Sequence, residues 1–144
     1  MDNTLQEIDN KIKEFCDKSL VINEFVFNEF TGEFESQNHN YPLLWATPEK
    51  MSIAKGQVSF FISVSVMDTQ YEKSDLVKTL SDLAIVLTEL LTYVDDDSEN
   101  FMFYDVIAGD FLPFSQSIDN VCGWQGSIEF RLKFMASMSE IRFK

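Results

Sequence analysis

The longest helical hydrophobic pattern in the chain covers residues 74–94. Its apolar side chains recur at spacings of three and four, which places them on one stripe at 3.6 residues per turn. The stripe consists of Leu76, Leu80, Leu83, Ala84, Leu87, Leu90, Leu91 and Val94. Ser74 can cap the first turn, and Asp75 suits the positive end of the helix dipole. The pattern therefore predicts a long α-helix on which strands are packed.

Three further apolar residues, Val77, Ile85 and Val86, widen the stripe beyond what packing against one sheet requires. Two explanations stay open at this stage. The second apolar side contacts a neighbouring subunit, with Ile85 in the contact, or the helix is simply buried deeply in its own domain.

A shorter helix is predicted near the start of the chain. Thr4 and Glu7 have capping-box spacing, and the helix is expected to end near residues 17–19. Its predicted apolar face consists of Leu5, Ile8, Ile12, Phe15 and Cys16. The charged residues Asp9, Lys11, Lys13 and Glu14 are assigned to the opposite face. This helix should dock by its apolar face.

Strand patterns flank the long helix. Strict alternation of Val58, Phe60, Ile62, Val64 and Val66 with serines predicts a strand over residues 56–69. Further strands are predicted at residues 20–30, from a turn at Thr31 and Gly32 through Phe34, at residues 101–109 and at residues 123–134. A loop is expected at Pro113, Ser115 and Ser117.

Residues 36–50 break the periodic pattern and are interpreted as an irregular arm. Pro42 removes a backbone donor and disfavours helix at Tyr41, so an edge segment is favoured over a central strand. The cluster Tyr41, Pro42, Leu43, Leu44 and Trp45 is a candidate subunit interface. A lid over the core is the alternative. His39 has no ligand-type neighbour in sequence and is expected to be solvated.

The element order predicts one α+β domain spanning residues 1–144. We expect a mainly antiparallel sheet with one long central helix and an N-terminal helix packed on it. A chain of 144 residues with 45% hydrophobic residues is large enough to bury a substantial core.

The charge balance restricts the possible partners. The net charge is −13, from 24 acidic and 11 basic residues, so the chain lacks the clustered Lys and Arg that nucleic-acid binding requires. Neither a signal-peptide pattern nor an apolar stretch of membrane-spanning length is visible, so no membrane partner is expected. The two cysteines are expected to be reduced.

The sequence offers few groups for chemistry. Phosphate-binding, nucleophile-elbow and zinc-protease motifs are missing, so we expect neither an enzyme nor a cofactor. The run Asp95, Asp96 and Asp97 could bind a hard cation, but the remaining EF-hand spacing is missing and a solvated acidic loop is favoured.

The element order, the polar lead-in of residues 117–123 and the alternation of residues 128–134 resemble the tail terminator or tail completion proteins of tailed bacteriophages. The resemblance implies a structural virion protein that forms a ring at the neck or tail and contacts adjacent connector or tail proteins. DNA would pass through such a ring without specific binding. The acidic residues that would line the channel are then Asp95, Asp96, Asp97 and Glu99.

Two other functions remain possible at the level of sequence. The first is an acidic adaptor or inhibitor that binds a basic host protein. The second is a small-molecule-binding domain whose pocket is lined by some of the 14 phenylalanines.

Overall fold

Two helices and five strands make up the parts of the chain that a computed structural model describes, which are residues 4–27, 39–69, 75–96, 103–116 and 120–133. The helices are α1 (Thr4–Lys18) and α2 (Leu76–Asp96). The strands are β1 (Glu24–Phe27), β2 (Leu43–Ala54), β3 (Gln57–Thr69), β4 (Phe103–Gln116) and β5 (Val121–Lys133).

All five strands form one mixed sheet in the order β1-β2-β3-β5-β4. β1 runs parallel to β2, and the other three pairings are antiparallel. Strands account for 53% of the described residues. The predicted fold, a mainly antiparallel sheet organised around one long helix, is therefore wrong. The sheet dominates, and two helices pack against it.

The parallel pairing explains part of this error. A tight hairpin joins only antiparallel strands, whereas parallel neighbours need a long crossover. Residues 28–42 separate β1 from β2 and are long enough for such a crossover. The hairpin predicted at Thr31 and Gly32 lies outside the described residues.

The main core lies between the helices and one face of the sheet. α2 contributes the predicted stripe, and alternating residues of β3 and β5 lie beneath it. Its fully buried members include Ile8, Ile12, Leu44, Ile62, Val64, Val66, Leu90 and Ile128. The indole Nε1 of Trp124 in β5 donates to the backbone oxygen of Leu80, at 2.8 Å. This bond ties α2 to the sheet.

A second, smaller cluster lies on the opposite face of the sheet, near one end. Leu43, Met67 and Val121 are its fully buried members, with at most 1% of their surface exposed. Trp45 and Phe114 pack against it. This end of the sheet is therefore covered on both faces.

Two segments predicted to be irregular are strands. Residues 43–50, assigned to the arm, belong to β2, which lies between β1 and β3. Pro113 and Ser115, assigned to a loop, belong to β4, whereas Ser117 lies outside the described residues. β2 accommodates Pro48 at a shift in register against β3, where the regular ladder is interrupted. β4 has no neighbour on its outer side among the described strands, and a proline is tolerated there.

The part of the chain that the structure describes holds no helix long and apolar enough to cross a membrane.

Candidate functional site

The residues predicted as a subunit interface divide into two groups. Leu43 and Leu44 are completely buried within the single chain, one in each of the two hydrophobic clusters. They are therefore inaccessible to another subunit. Tyr41, Pro42 and Trp45 are half-buried, so a contact role for these three stays a prediction.

The prediction that His39 is solvated is wrong. Its Nδ1 donates to a carboxylate oxygen of Glu24 at 2.5 Å, and its ring contacts the edge of Trp45 with 5.7 Å between ring centroids. The backbone N–H of Asn40 donates to the other oxygen of Glu24. These bonds fasten the segment before β2 to the start of β1.

An open cavity of about 500 Å³ borders this histidine and is lined by Asn23, His39, Asn40, Tyr41 and Thr69. Its walls offer amide, hydroxyl and imidazole groups. Among the described residues, no group of three or more His, Cys, Asp and Glu side chains is placed to hold a metal ion.

The outer surface of α2 carries exposed apolar side chains. Ile85 is 60% exposed and Val77 is 74% exposed. The hydroxyls of Ser81, Thr88 and Thr92 on the exposed side of the helix donate to backbone carbonyls four residues earlier, at 2.7–3.0 Å. Because these donors are already used inside the helix, the surface they leave is less polar than its composition indicates.

A second exposed apolar surface lies on the β2–β3 hairpin, and the sequence analysis missed it. Residues 48–56 are all exposed, including Met51 at 54% and Ile53 at 71%. Their side chains share one face of β2, opposite Phe60 and Val58 of β3. The available signal was the alternation of Met51 and Ile53 with polar residues, in residues 51–55, which lie between the predicted arm and the predicted strand and were assigned to neither.

The contact between α1 and α2 contains charged groups that the sequence analysis placed incorrectly. Lys11 was assigned to the exposed face of α1 but is only 2% exposed. It lies one turn from both Ile8 and Phe15, so its position in the helix already places it beside the apolar stripe. Its ammonium lies 4.3 Å from the centroid of the Tyr93 ring in α2.

The tyrosine also bonds to a carboxylate of α1. The hydroxyl of Tyr93 donates to Glu14, and the Lys18 ammonium lies 3.2 Å from the same carboxylate. The bond from Tyr93 and then the bond from Lys18 lower the pKa of Glu14.

Of the predicted channel-lining residues, Asp95 is exposed in the last turn of α2. Asp96 ends the helix, but its side chain, like Asp97 and Glu99, lies outside the described residues. The last turn contains no basic residue, and Asp95 lies at the negative end of the helix dipole. Its position does not help the stability of the helix.

Comparisons with protein-family models and with curated proteins find no match to this chain.

Proposed function

We propose that this protein is a structural subunit of a phage virion that assembles into a ring at the neck or tail. The observation that supports the proposal is the presence of two different exposed apolar surfaces. One is the outer surface of α2 around Val77 and Ile85, and the other is the β2–β3 hairpin around Met51 and Ile53. A ring of identical subunits needs two different patches on each copy, because every contact is head-to-tail.

The function proposed is mechanical. Each subunit buries apolar surface against its neighbours, and the ring joins or caps the adjacent connector or tail proteins. The net charge of −13 suits a conduit for DNA, because a polyanion passes an acidic wall without forming the phosphate contacts that Lys and Arg would provide.

Multi-angle light scattering of the purified protein, alone and mixed with neighbouring virion proteins, tests the ring directly. We expect a species of several subunits with one defined mass. Ile85→Glu should fold normally and reduce the fraction assembled, because it places a charge in an apolar contact. Gln6→Glu is the matched control, since it adds the same charge at an exposed position of α1. A strict monomer at all concentrations and in all mixtures would rule out the proposal.

The acidic residues at the end of α2 test the conduit separately from the ring. Changing Asp95, Asp96, Asp97 and Glu99 to Lys should leave the ring intact and make it bind DNA in a salt-dependent way. Gln6→Lys together with Asp17→Lys places positive charge on exposed positions of α1, outside both apolar surfaces, and serves as the control. Equal DNA binding by the two variants would show that the acidic end of α2 does not face the DNA.

The alternative function is an acidic adaptor that binds a basic host protein, and the observation that favours it is the charge of −13. If the chain is such an adaptor, it should be a monomer or dimer in the light-scattering experiment. It would bind a basic partner with an affinity that falls as salt is added, because the attraction is screened.

A further inference from the structure

Among the described strands, only β1 pairs with the outer edge of β2. β1 pairs with β2 at residues 43–46 and no further. Beyond that point, within the ranges the structure describes, no strand pairs with the outer side of β2. Residues 48–54 are all exposed. This leaves residues 50–54, on the far side of the irregularity after Pro48, as an accessible strand edge.

The sheet has a second accessible edge on its other side. β4 is the last strand in the sheet order and pairs only with β5 among the described strands. Register irregularities between Phe103 and Asp105 and between Ala108 and Phe111 leave residues 105–108 as the regular stretch between them. Residues 105–108 therefore form a short strand edge of their own.

The pairing registers place these two edges at the same level of the sheet. Following partners from strand to strand connects β2 with β4 through β3 and β5. The rows are Lys50, Phe61, Glu129 and Ile107; Met51, Phe60, Phe130 and Val106; and Ser52, Ser59, Arg131 and Asp105. The three antiparallel pairings also make β4 run opposite to β2. A copy placed beside another in the same orientation would thus pair the two edges antiparallel. In the unshifted register, residues 111–113 of β4 reach the level of residues 44–46, which β1 already pairs, so β4 has to turn away at its irregularity after Ala108.

The side chains of the two edges are complementary in charge. Lys50 and Lys55 are exposed on the β2 side, and Asp105 and Asp110 lie on the β4 side. Residues 48–56 carry these two lysines and one carboxylate, Glu49, so the hairpin has one net positive charge in a chain whose net charge is −13. Lys50 and Asp105 belong to the same face of the sheet, because their register partners Phe61 and Arg131 lie on that face. Opposite charges on neighbouring strands attract each other.

The apolar side chains of the two edges also match. Met51 and Ile53 lie on the face of the sheet that carries the helices, and at the level of Met51 the β4 edge presents Val106 on that same face. Pairing would cover part of the apolar surface that Met51 and Ile53 now expose to water.

From this arrangement we propose that residues 50–54 of β2 pair with residues 105–108 of β4 in a second copy of this chain, so that the sheet continues from subunit to subunit. The contact is head-to-tail and can close into a ring. The inference rests on the proposed ring and specifies how its subunits join. The irregularity after Pro48 bounds the β2 segment, and the irregularities on either side of residues 105–108 bound the β4 segment, so together they select the register.

Cysteine cross-linking tests this pairing. In a variant carrying both Ser52→Cys and Asp105→Cys, a thiol-reactive linker should join neighbouring subunits. A linker of about 10 Å is chosen because it still reaches if the two strands are shifted by two residues, or about 7 Å. We expect a ladder of covalent oligomers that ends at the subunit number of the ring. The native Cys16 and Cys122 are buried, and burial raises the pKa of both thiols, so neither competes for the linker.

The single variants provide the controls. Ser52→Cys alone and Asp105→Cys alone should each remain uncross-linked, because a head-to-tail contact never brings two copies of one position together. A second pair, Lys50→Cys with Ile107→Cys, probes the neighbouring row if Asp105→Cys fails to fold.

The outcomes separate this inference from the ring proposal. A ladder in both double variants and in neither single variant supports the pairing. Dimers of Ser52→Cys alone would indicate a symmetric contact and overturn it. A ring seen by light scattering without any cross-link would overturn the edge pairing but leave the ring standing. A strict monomer would overturn both.

Discussion

The Lys11 ammonium lies over the Tyr93 ring, 4.3 Å from its centroid, while the hydroxyl of the same tyrosine donates to Glu14. One aromatic side chain of α2 thus contacts a cation and an anion of α1. Lys11 is almost completely buried, and both the ring and the Glu14 carboxylate, 4.0 Å from its ammonium, compensate its charge.

We expect Tyr93→Leu to destabilise the protein more than Tyr93→Phe. The phenylalanine keeps the aromatic face near Lys11 and loses only the bond to Glu14, whereas leucine also removes the cation–π contact. A desolvated contact of this kind contributes about 2 kcal/mol. Urea unfolding of both variants at neutral pH measures the difference.

A control for this prediction is Lys13→Met, which removes an exposed charge from α1 and should change stability by less than about 0.5 kcal/mol. Equal losses for Tyr93→Leu and Tyr93→Phe would show that the hydroxyl, not the ring, carries the interaction.

The pH dependence of stability should reveal the bond to Glu14. The Tyr93 hydroxyl, and then Lys18, lower the pKa of this carboxyl below its usual value of 4.5. Since the pKa is lower in the folded protein than in the unfolded chain, the stabilisation is present above the usual value and is lost as the pH falls through the folded value. We expect Glu14→Gln to remove this part of the acid destabilisation, measured by thermal unfolding between about pH 3 and pH 6. If the melting temperature of Glu14→Gln falls with pH as steeply as that of the unmodified protein, the proposed role of Glu14 is wrong.

The two sides of α2 should respond oppositely to truncation. Leu83 is 1% exposed, so Leu83→Ala should cost about 2–5 kcal/mol through lost burial and a residual cavity. Ile85 is 60% exposed, and Ile85→Ala should change the stability of the monomer by less than about 0.5 kcal/mol. Chemical denaturation of Leu83→Ala and Ile85→Ala, at a protein concentration that favours monomers, compares the two losses of stability. Similar losses of stability in the two variants would show that the buried stripe of α2 has been assigned to the wrong residues.

Substitutions by alanine at two neighbouring positions in β5 should change the stability of the protein in opposite directions. The hydroxyl oxygen of Ser127 is buried without a hydrogen-bond partner, so Ser127→Ala should be neutral or should stabilise the protein by up to about 1 kcal/mol. A Cβ at Gly126 would lie 2.6 Å from the backbone oxygen of Asp110, so Gly126→Ala should destabilise it. Paired thermal melts measure both. A large loss in Ser127→Ala would reveal a bond that this hydroxyl makes.

The sequence by itself determined the elements whose side-chain period is local. Residues 74–94 were predicted as a helix and α2 is Leu76–Asp96, while the alternation of residues 56–69 predicted β3 as Gln57–Thr69. These periods follow from the backbone geometry of one segment, so no remote partner is needed to recognise them. The buried stripe of α2 could be deduced in the same way, whereas the sequence left open whether Ile85 is buried within its own domain.

Only the tertiary structure decided how the segments pair and what each side chain meets. The sequence carries no local signal that β1 runs parallel to β2, because strand direction depends on a partner remote in the chain. Residues 43–54 form a strand despite Pro48. β3 supplies the hydrogen-bonding partner strand, and the irregularity after Pro48 accommodates the pyrrolidine ring of the proline. Lys11 is buried because Tyr93 lies over it from another helix. Among the described strands, the unpaired outer edges of β2 and β4 are recognised only once the order of all five is set.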